Sequence, residues 1–228
     1  MVELLDIGNT YTRIAQWDGS EIRSLHRVLT ADFSGNDGNL PRVAACVCPA
    51  VGRRLSGCGI RFISALDHDS ALDFSGVDCS TLGADRVANA IALAELYELP
   101  GVVVDCGTAL TLEIVDAQKR FLGGAIAPGR RLMRQALHCG TAQLPDVEIS
   151  GRVPEQAGRN TAEAICFGID CGSVGMIKEL IARVKKYMPV KSVVLTGGDA
   201  GFFAPEFPGA IIADDTFTLT GIRIAGGY

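Results

Sequence analysis

Alternating apolar and polar positions dominate the first thirty residues. "VELLDIG", "TRIAQWDG" and "EIRSLHRVL" read as three successive strands, with Asp18-Gly19 as a hairpin turn between the second and the third. "PRVAACVC" and "IRFISAL" follow as two short buried strands, and "HDSALDFSGVDCS" lacks any period and reads as loop. The period then changes. In "TLGADRVANAIALAELYELPG" the residues Val87, Ala90, Ile91, Ala94 and Tyr97 fall on one helical face, and Pro100-Gly101 stops the helix.

Beyond that stop the pattern restarts. "GVVVDCGTALTLEIVD" reads as strand, turn and strand, with "DAQKRFLGG" as the hairpin return. "APGRRLMRQALHCGTAQLP" predicts a helix through Leu132, Gln135 and Ala136. "NTAEAICFGIDCGSVGMIKELIARVKKYMP" predicts one long helix or two consecutive ones, bounded by Pro189. "KSVVLTGGDAGFF" is a buried strand running into glycines, and "GAIIADDTFTLTGIRIAGGY" offers a strand and a short terminal element.

Two segments repeat one device. "LLDIGNTYTRIAQWD" and "VVDCGTALTLEIVD" are each an apolar strand, then Asp-x-Gly, then a hydroxyl residue within two positions, then an alternating strand; Asp6 and Asp105 stand 99 positions apart, close to half of the 228 residues. The expectation is an internal duplication, with two α/β halves, 1–100 and 101–228, facing each other across a cleft. A single Asp-Gly turn is ordinary hairpin chemistry. Two at corresponding places act as a pair of jaws: glycine lets backbone N–H groups approach a phosphate, Asn or Thr adds donors, and the aspartate can hold the hydrated Mg²⁺ that accompanies nucleotide phosphates. The chain has no Gly-Lys dipeptide, which excludes a Walker A loop, and it lacks the HRD and DFG sets of protein kinases.

Composition narrows the class further. No apolar run reaches the roughly 20 residues of a membrane span, since Asp105 and Glu113 interrupt the most apolar stretch. Glu3 and Asp6 occupy positions where a signal peptide would carry Lys or Arg, so a soluble, cytoplasmic protein is expected. A net charge of −5, no basic run and few aromatic residues disfavour a nucleic-acid partner. The eight cysteines show neither CxxC nor zinc spacing and are expected to be reduced, small, buried residues. His26, His68 and His138 are isolated, and none is taken as a ligand.

Six motifs stand in order along the whole chain: "DIGNTYTR", "GADRVANAIA", "VDCGTALTLE", "GGAIAPG", "GRNTAEAICFGI" and "VVLTGGDA". The paired turns resemble the phosphate-binding elements of the acetate and sugar kinase, Hsp70 and actin superfamily, and the full set resembles type III pantothenate kinase. That resemblance implies a duplicated actin-like (ribonuclease H-like) two-domain α/β fold, with mixed sheets and a nucleotide cleft between the halves. It implies ATP-dependent phosphorylation of the primary hydroxyl of pantothenate to 4'-phosphopantothenate, the first step of coenzyme A biosynthesis. It also implies Mg²⁺, a monovalent cation such as K⁺ or NH₄⁺, and a homodimer with active sites at the subunit interface.

Residue by residue, the resemblance makes Asp85 the general base and places Gly83, Ala84, Asp85, Arg86 and Thr161 at pantothenate, the last from the neighbouring subunit. Asp6 would hold Mg²⁺, with Gly8, Asn9, Thr10 and Arg13 near the phosphates. Asp105 would hold Mg²⁺ or the monovalent cation beside Gly107 and Thr108, and Gly197 and Gly198 would meet the adenosine. Blander readings stand beside these: Asp85 as an acidic residue favouring the positive end of its helix, an effect of about 0.3 to 1 kcal/mol, and Thr161 as a helix N-cap.

Three positions depart from the family pattern: Arg13 stands where Lys is common, Glu113 where Asp is common, and the loop before Gly83 lacks the usual Tyr and Pro, with Phe74 its only aromatic. Two alternatives follow. One is another kinase or phosphohydrolase of the superfamily, against which "GADR" and "GRNTAEAICFGI" argue. The other is a non-catalytic regulatory relative, against which the retention of Asp6, Asp85 and Asp105 argues, because three carboxylates in one cleft repel one another.

Overall fold

The computed structural model describes residues 1–35, 39–67 and 72–228; His68 lies outside them. The alternating segments form a meander of β1 (Val2–Ile7), β2 (Tyr11–Trp17) and β3 (Ile22–Leu29), followed by β4 (Arg42–Cys46), helix α1 (Pro49–Arg54) and β5 (Ile60–Phe62). Helix α1 is absent from the sequence reading, which runs β4 on to Cys48. Pro49 opens it, since proline's fixed φ suits the first turn, where its missing N–H costs nothing. The strand expected over 60–66 stops at Phe62, and Ala65–Asp67 forms a 3₁₀ turn. Then come α2 (Ala84–Leu96), β6 (Gly101–Cys106), β7 (Ala109–Val115), β8 (Phe121–Pro128), α3 (Arg130–Gly140), α4 (Thr161–Lys185), β9 (Ser192–Thr196), α5 (Ala200–Phe203), β10 (Ile211–Ile212) and α6 (Phe217–Ala225).

Two five-stranded sheets result, ordered β3-β2-β1-β4-β5 and β8-β7-β6-β9-β10. In each, the first three strands are antiparallel, the fourth pairs parallel with the first, and the fifth pairs parallel with the fourth. The duplication read from two Asp-x-Gly turns therefore extends to the whole sheet topology. Asp6 lies beside Ala45 of β4, and Asp105 holds the matching place beside Thr196 of β9.

Helix α2 joins the two sheets. Every residue from Val87 to Ala94 is buried, so the helix is enclosed all round rather than on the one face its periodicity suggested. Its neighbours are β4, β6, β7 and α6. Although α6 comes last, it packs on α2, β1 and β4 and so completes the core beneath the first sheet. The crossing of α2 and α6 is close enough that a Cβ on Gly221 would fall 1.9 Å from the Ala88 carbonyl oxygen.

Helix α3 buries charge rather than apolar side chains. Leu132 is exposed, while Arg130 and Arg134 form the buried face. Both arginines donate to the buried Asp170 of α4: Arg130 Nε to Oδ1 at 2.8 Å, and Arg134 Nη2 to Oδ1 and Oδ2 at 2.9 and 3.0 Å. Helix α4 is one continuous element of 25 residues. Its N-cap is Asn160, which accepts from the Glu163 N–H, so Thr161 is the first helical residue rather than the cap. Of the eight cysteines only Cys106 is buried. Cys58 and Cys139 are exposed and the rest half-buried. Among the described residues no helix is long and apolar enough to cross a membrane.

Candidate active site

The two Asp-x-Gly turns meet tip to tip, with the hydroxyls of Thr10 and Thr108 3.3 Å apart. Each turn is closed by its glycine: the Gly8 N–H donates to the Tyr11 carbonyl and the Gly107 N–H to the Ala109 carbonyl, both at 3.1 Å. The glycine turn after β9 lies directly on the second jaw. Gly197 has φ +88°, and a Cβ there would lie 2.3 Å from Asp105 Oδ1, so no larger residue fits. The Asp199 N–H fastens that turn by donating to the Cys106 carbonyl at 2.8 Å.

These turns border one cleft of about 740 Å³. Asp6, Gly8, Asn9, Thr10, Arg13, Asp85, Asp105, Gly107, Thr108, Gly197 and Gly198 all line it, so the two jaws, the predicted base and the third glycine turn share one space. Gly83, Ala84, Arg86 and Thr161 are not among the lining residues. Thr161 stands at the exposed start of α4, beside a separate shallow hollow bordered by Ala162 and Glu163.

A chain of polar side chains ties the jaws together. Arg13 donates to Asp6 Oδ2 through Nε at 2.9 Å and approaches it through Nη2 at 2.7 Å. The same Nη2 makes a longer contact of 3.4 Å to Thr218 Oγ1, which donates to Asn89 Oδ1 at 2.9 Å. Asn89 Nδ2 then donates to Asp105 Oδ2 at 3.0 Å. Asn89 and Thr218 escaped the sequence reading, as did the cleft-lining Asp214, Asp215, His26 and Arg27. A signal existed for Asn89, the lone polar residue in the apolar run Val87–Ala94. None existed for Thr218, whose partners lie 129 and 205 positions away.

The carboxylates differ in character. Burial pushes Asp105 up to about 6, opposed by the Asn89 hydrogen bond. Burial also raises Asp85, with the Arg86 N–H, which donates to Asp85 Oδ1 at 2.8 Å, pulling the other way. A raised carboxylate is a stronger base once ionised, which suits proton removal from an alcohol. The neighbouring Arg86 pairs through Nε with Glu113 Oε1 at 2.9 Å. Glu113 is fully enclosed, and burial drives it up to about 8 despite that arginine. Arg86 Nη2 and Glu113 Oε2 remain buried without partners. Phe74, the aromatic of the preceding loop, packs in the core against Phe121.

Among the described residues no three His, Cys, Asp or Glu side chains converge into a metal cage. Asp6 and Asp105 nevertheless both border the cleft with one oxygen free. Each has Oδ2 fixed, by Arg13 and Asn89 respectively, with Oδ1 in no hydrogen bond among the described residues. Mg²⁺ is commonly held in this way, by one or two carboxylates with substrate phosphates and water completing the shell.

Comparison with known proteins adds the following. The family model described as type III pantothenate kinase matches residues 41–183. The type III pantothenate kinase of Geobacillus sp. strain WCH70 is 31% identical over 98% of this chain and 96% of its own length. That of Akkermansia muciniphila is 36% identical over 98% and 97%. Among solved structures, a conserved Baf family transcriptional activator protein from Campylobacter jejuni superposes with a TM-score of 0.67 at 22% identity, covering 98% of this chain and 96% of the other. The ethanolamine utilization protein EutJ from Carboxydothermus hydrogenoformans superposes with 0.54 at 16% identity, covering 98% and 89%. These two structural likenesses concern the fold, which is the actin-like arrangement of two α/β halves.

Proposed function

The chain belongs to the type III pantothenate kinase family, and from that premise we propose that its cleft seats ATP between the two Asp-x-Gly turns while Asp85 takes the proton of pantothenate's primary hydroxyl. The reaction is ATP-dependent phosphorylation of pantothenate, which opens coenzyme A biosynthesis. The observation that carries the division of labour is the sharing of one cleft by Asp85 and both turns.

Phosphoryl transfer asks chiefly for positioning and for neutralisation of charge. Asn9, Thr10 and Thr108 supply donors to the phosphates, and Arg13 holds Asp6 in place while adding positive charge. As the hydroxyl oxygen attacks the γ-phosphorus, its proton passes to the Asp85 carboxylate and ADP departs. Bound Mg²⁺ would offset the charge of the phosphates, with Asp6 to hold it and Asp105 to hold either Mg²⁺ or the monovalent cation, K⁺ or NH₄⁺. Arg86, held by Glu113 just outside the cleft lining, keeps only the position beside Asp85 that the family resemblance gives it toward pantothenate.

A homodimer belongs to this reading. Thr161 lies outside the cleft of its own chain, and a Cβ on Gly168, Gly172 or Gly175 would meet nothing, leaving one face of α4 bare for close approach of a second helix. Residues 1–100 and 101–228 form the two lobes, with α6 crossing back, and the cytoplasm is the place of reaction. The test is ADP release from ATP and Mg²⁺ with and without pantothenate, in K⁺ or Na⁺, for the wild type and Asp85→Asn. Pantothenate-dependent turnover that needs K⁺ and falls about 10²- to 10⁴-fold in the variant is expected. Release without pantothenate, or wild-type rates in the variant, would overturn it.

A further inference from the structure

We propose that Arg27, on the edge strand β3, is a second cation of the nucleotide subsite and contacts the triphosphate. The inference rests on the ATP reading above and adds to it a residue that no motif contains.

The sheet register places it. Asp6 of β1 stands opposite Arg13 of β2, and Arg13 stands opposite Arg27 of β3. Directly paired residues share a face, so the three form a row across the strands on the side that lines the cleft. Arg13 is engaged by Asp6. Arg27 pairs with no carboxylate among the described residues; its guanidinium lies over the Tyr11 ring, 4.8 Å from the centroid. Two like charges opposite each other in a ladder are unfavourable. An anion at that face removes the penalty.

Strand β3 is also bent toward this task. Gln16 pairs with Arg23 but Ile14 pairs with His26, so β3 carries one residue more than β2 between those pairs, and Ser24 there has φ +55°. Such a bulge re-aims the side chains that follow it. Beyond the bulge the regular pairs His26 with Ile14 and Arg27 with Arg13 resume, which sets Arg27 on the face of Arg13 and Asp6 that borders the cleft. His26 Nδ1 lies 3.0 Å from the Ser24 carbonyl oxygen and ties the bulge down.

Charge balance gives the ligand its sign. Five aspartates line the cleft against two arginines, yet the substrate is a polyanion, and Arg27 is the cation there whose charge is not already paired. Its planar fork matches phosphate oxygens, and the aromatic seat restrains it in advance. Position selects the phosphates over the carboxylate of pantothenate. Tyr11 directly follows Thr10 at the tip of the first turn, whereas Gly83 packs near Val47, just after β4 on the opposite flank of β1.

The experiment compares wild type, Arg27→Gln and Arg27→Lys by calorimetric titration with MgATP in the absence of pantothenate, and by steady-state KM for each substrate at two ionic strengths. Arg27→Gln is expected to weaken MgATP binding and raise its KM about tenfold, to leave kcat and the KM for pantothenate within twofold, and to flatten the salt dependence. Arg27→Lys should recover part of the loss. Unchanged MgATP affinity in Arg27→Gln overturns the proposal, and so does a rise confined to the KM for pantothenate. If the wild type binds MgATP but does not phosphorylate pantothenate, the acceptor reading fails while the titration still decides the role of Arg27.

Discussion

Asp105 is a carboxylate at odds with its surroundings: half-buried at the cleft wall, held by a single amide, and raised to about 6 by desolvation. A group whose folded value exceeds its unfolded value of 3.8 adds stability that is complete below 3.8 and is lost as pH rises through 6. Glu113 acts in the same sense up to about 8. Asp18, held down to about 2 by hydrogen bonds, acts oppositely and only at lower pH. The ligand-free protein should therefore melt at a higher temperature near pH 5 than at pH 8. For Asp105 the difference between those two pH values is about 1.4 kcal/mol, because at pH 5 roughly half of the full effect is already lost. Asp105→Asn should remove the part of the slope centred near 6, and a variant whose melting still follows the wild-type pH curve would sink this account. The residue itself was legible because Asp-x-Gly occurs twice. Its controller, Asn89, was not, since a polar residue in an apolar helix can point to any of several partners and the sequence names none.

At the scale of the element, α3 is held by charge rather than by apolar packing. Asp170→Ala would leave Arg134 enclosed without a counter-charge and Arg130 with only its longer 3.5 Å contact to Asp199, a loss of about 3 to 5 kcal/mol, or a fall in Tm of roughly 10 °C. Glu179→Ala, which breaks the exposed Arg183 pair one helical segment away, should leave Tm where it was. Thermal melts of the two variants check this, and equal melts would refute it. The sequence located α3 correctly through Leu132, Gln135 and Ala136 but gave no sign that its buried side would be the arginines. The reason is that Asp170 follows 36 and 40 positions later, and only the fold brings it under the helix. For α2 the same limit appears in reverse: the apolar stripe was visible, but enclosure on every side depends on two sheets and α6 arriving around it.

For the whole molecule, the two sheets could be read in advance because each is announced by its own strand-turn-strand signature. The return of α6 to the first sheet could not, since a nine-residue apolar helix fits either half. Gly221 marks where it returns. Gly221→Ala should force α6 off α2, with a cost of about 1 to 3 kcal/mol, and because Thr218 rides on the same helix the KM for ATP should rise with it. A variant with wild-type Tm and KM would show that the crossing tolerates a methyl group. The position of α6 also bears on the order in which the protein comes into being. A ribosome makes the first sheet and α2 long before it makes the helix that covers them, so the early half must wait, its apolar underside open, until the later half has been threaded out and folded over it. Synthesis and folding of this chain thus run in opposite directions at one point, and the interval between them is when the nascent protein most needs a chaperone's cover.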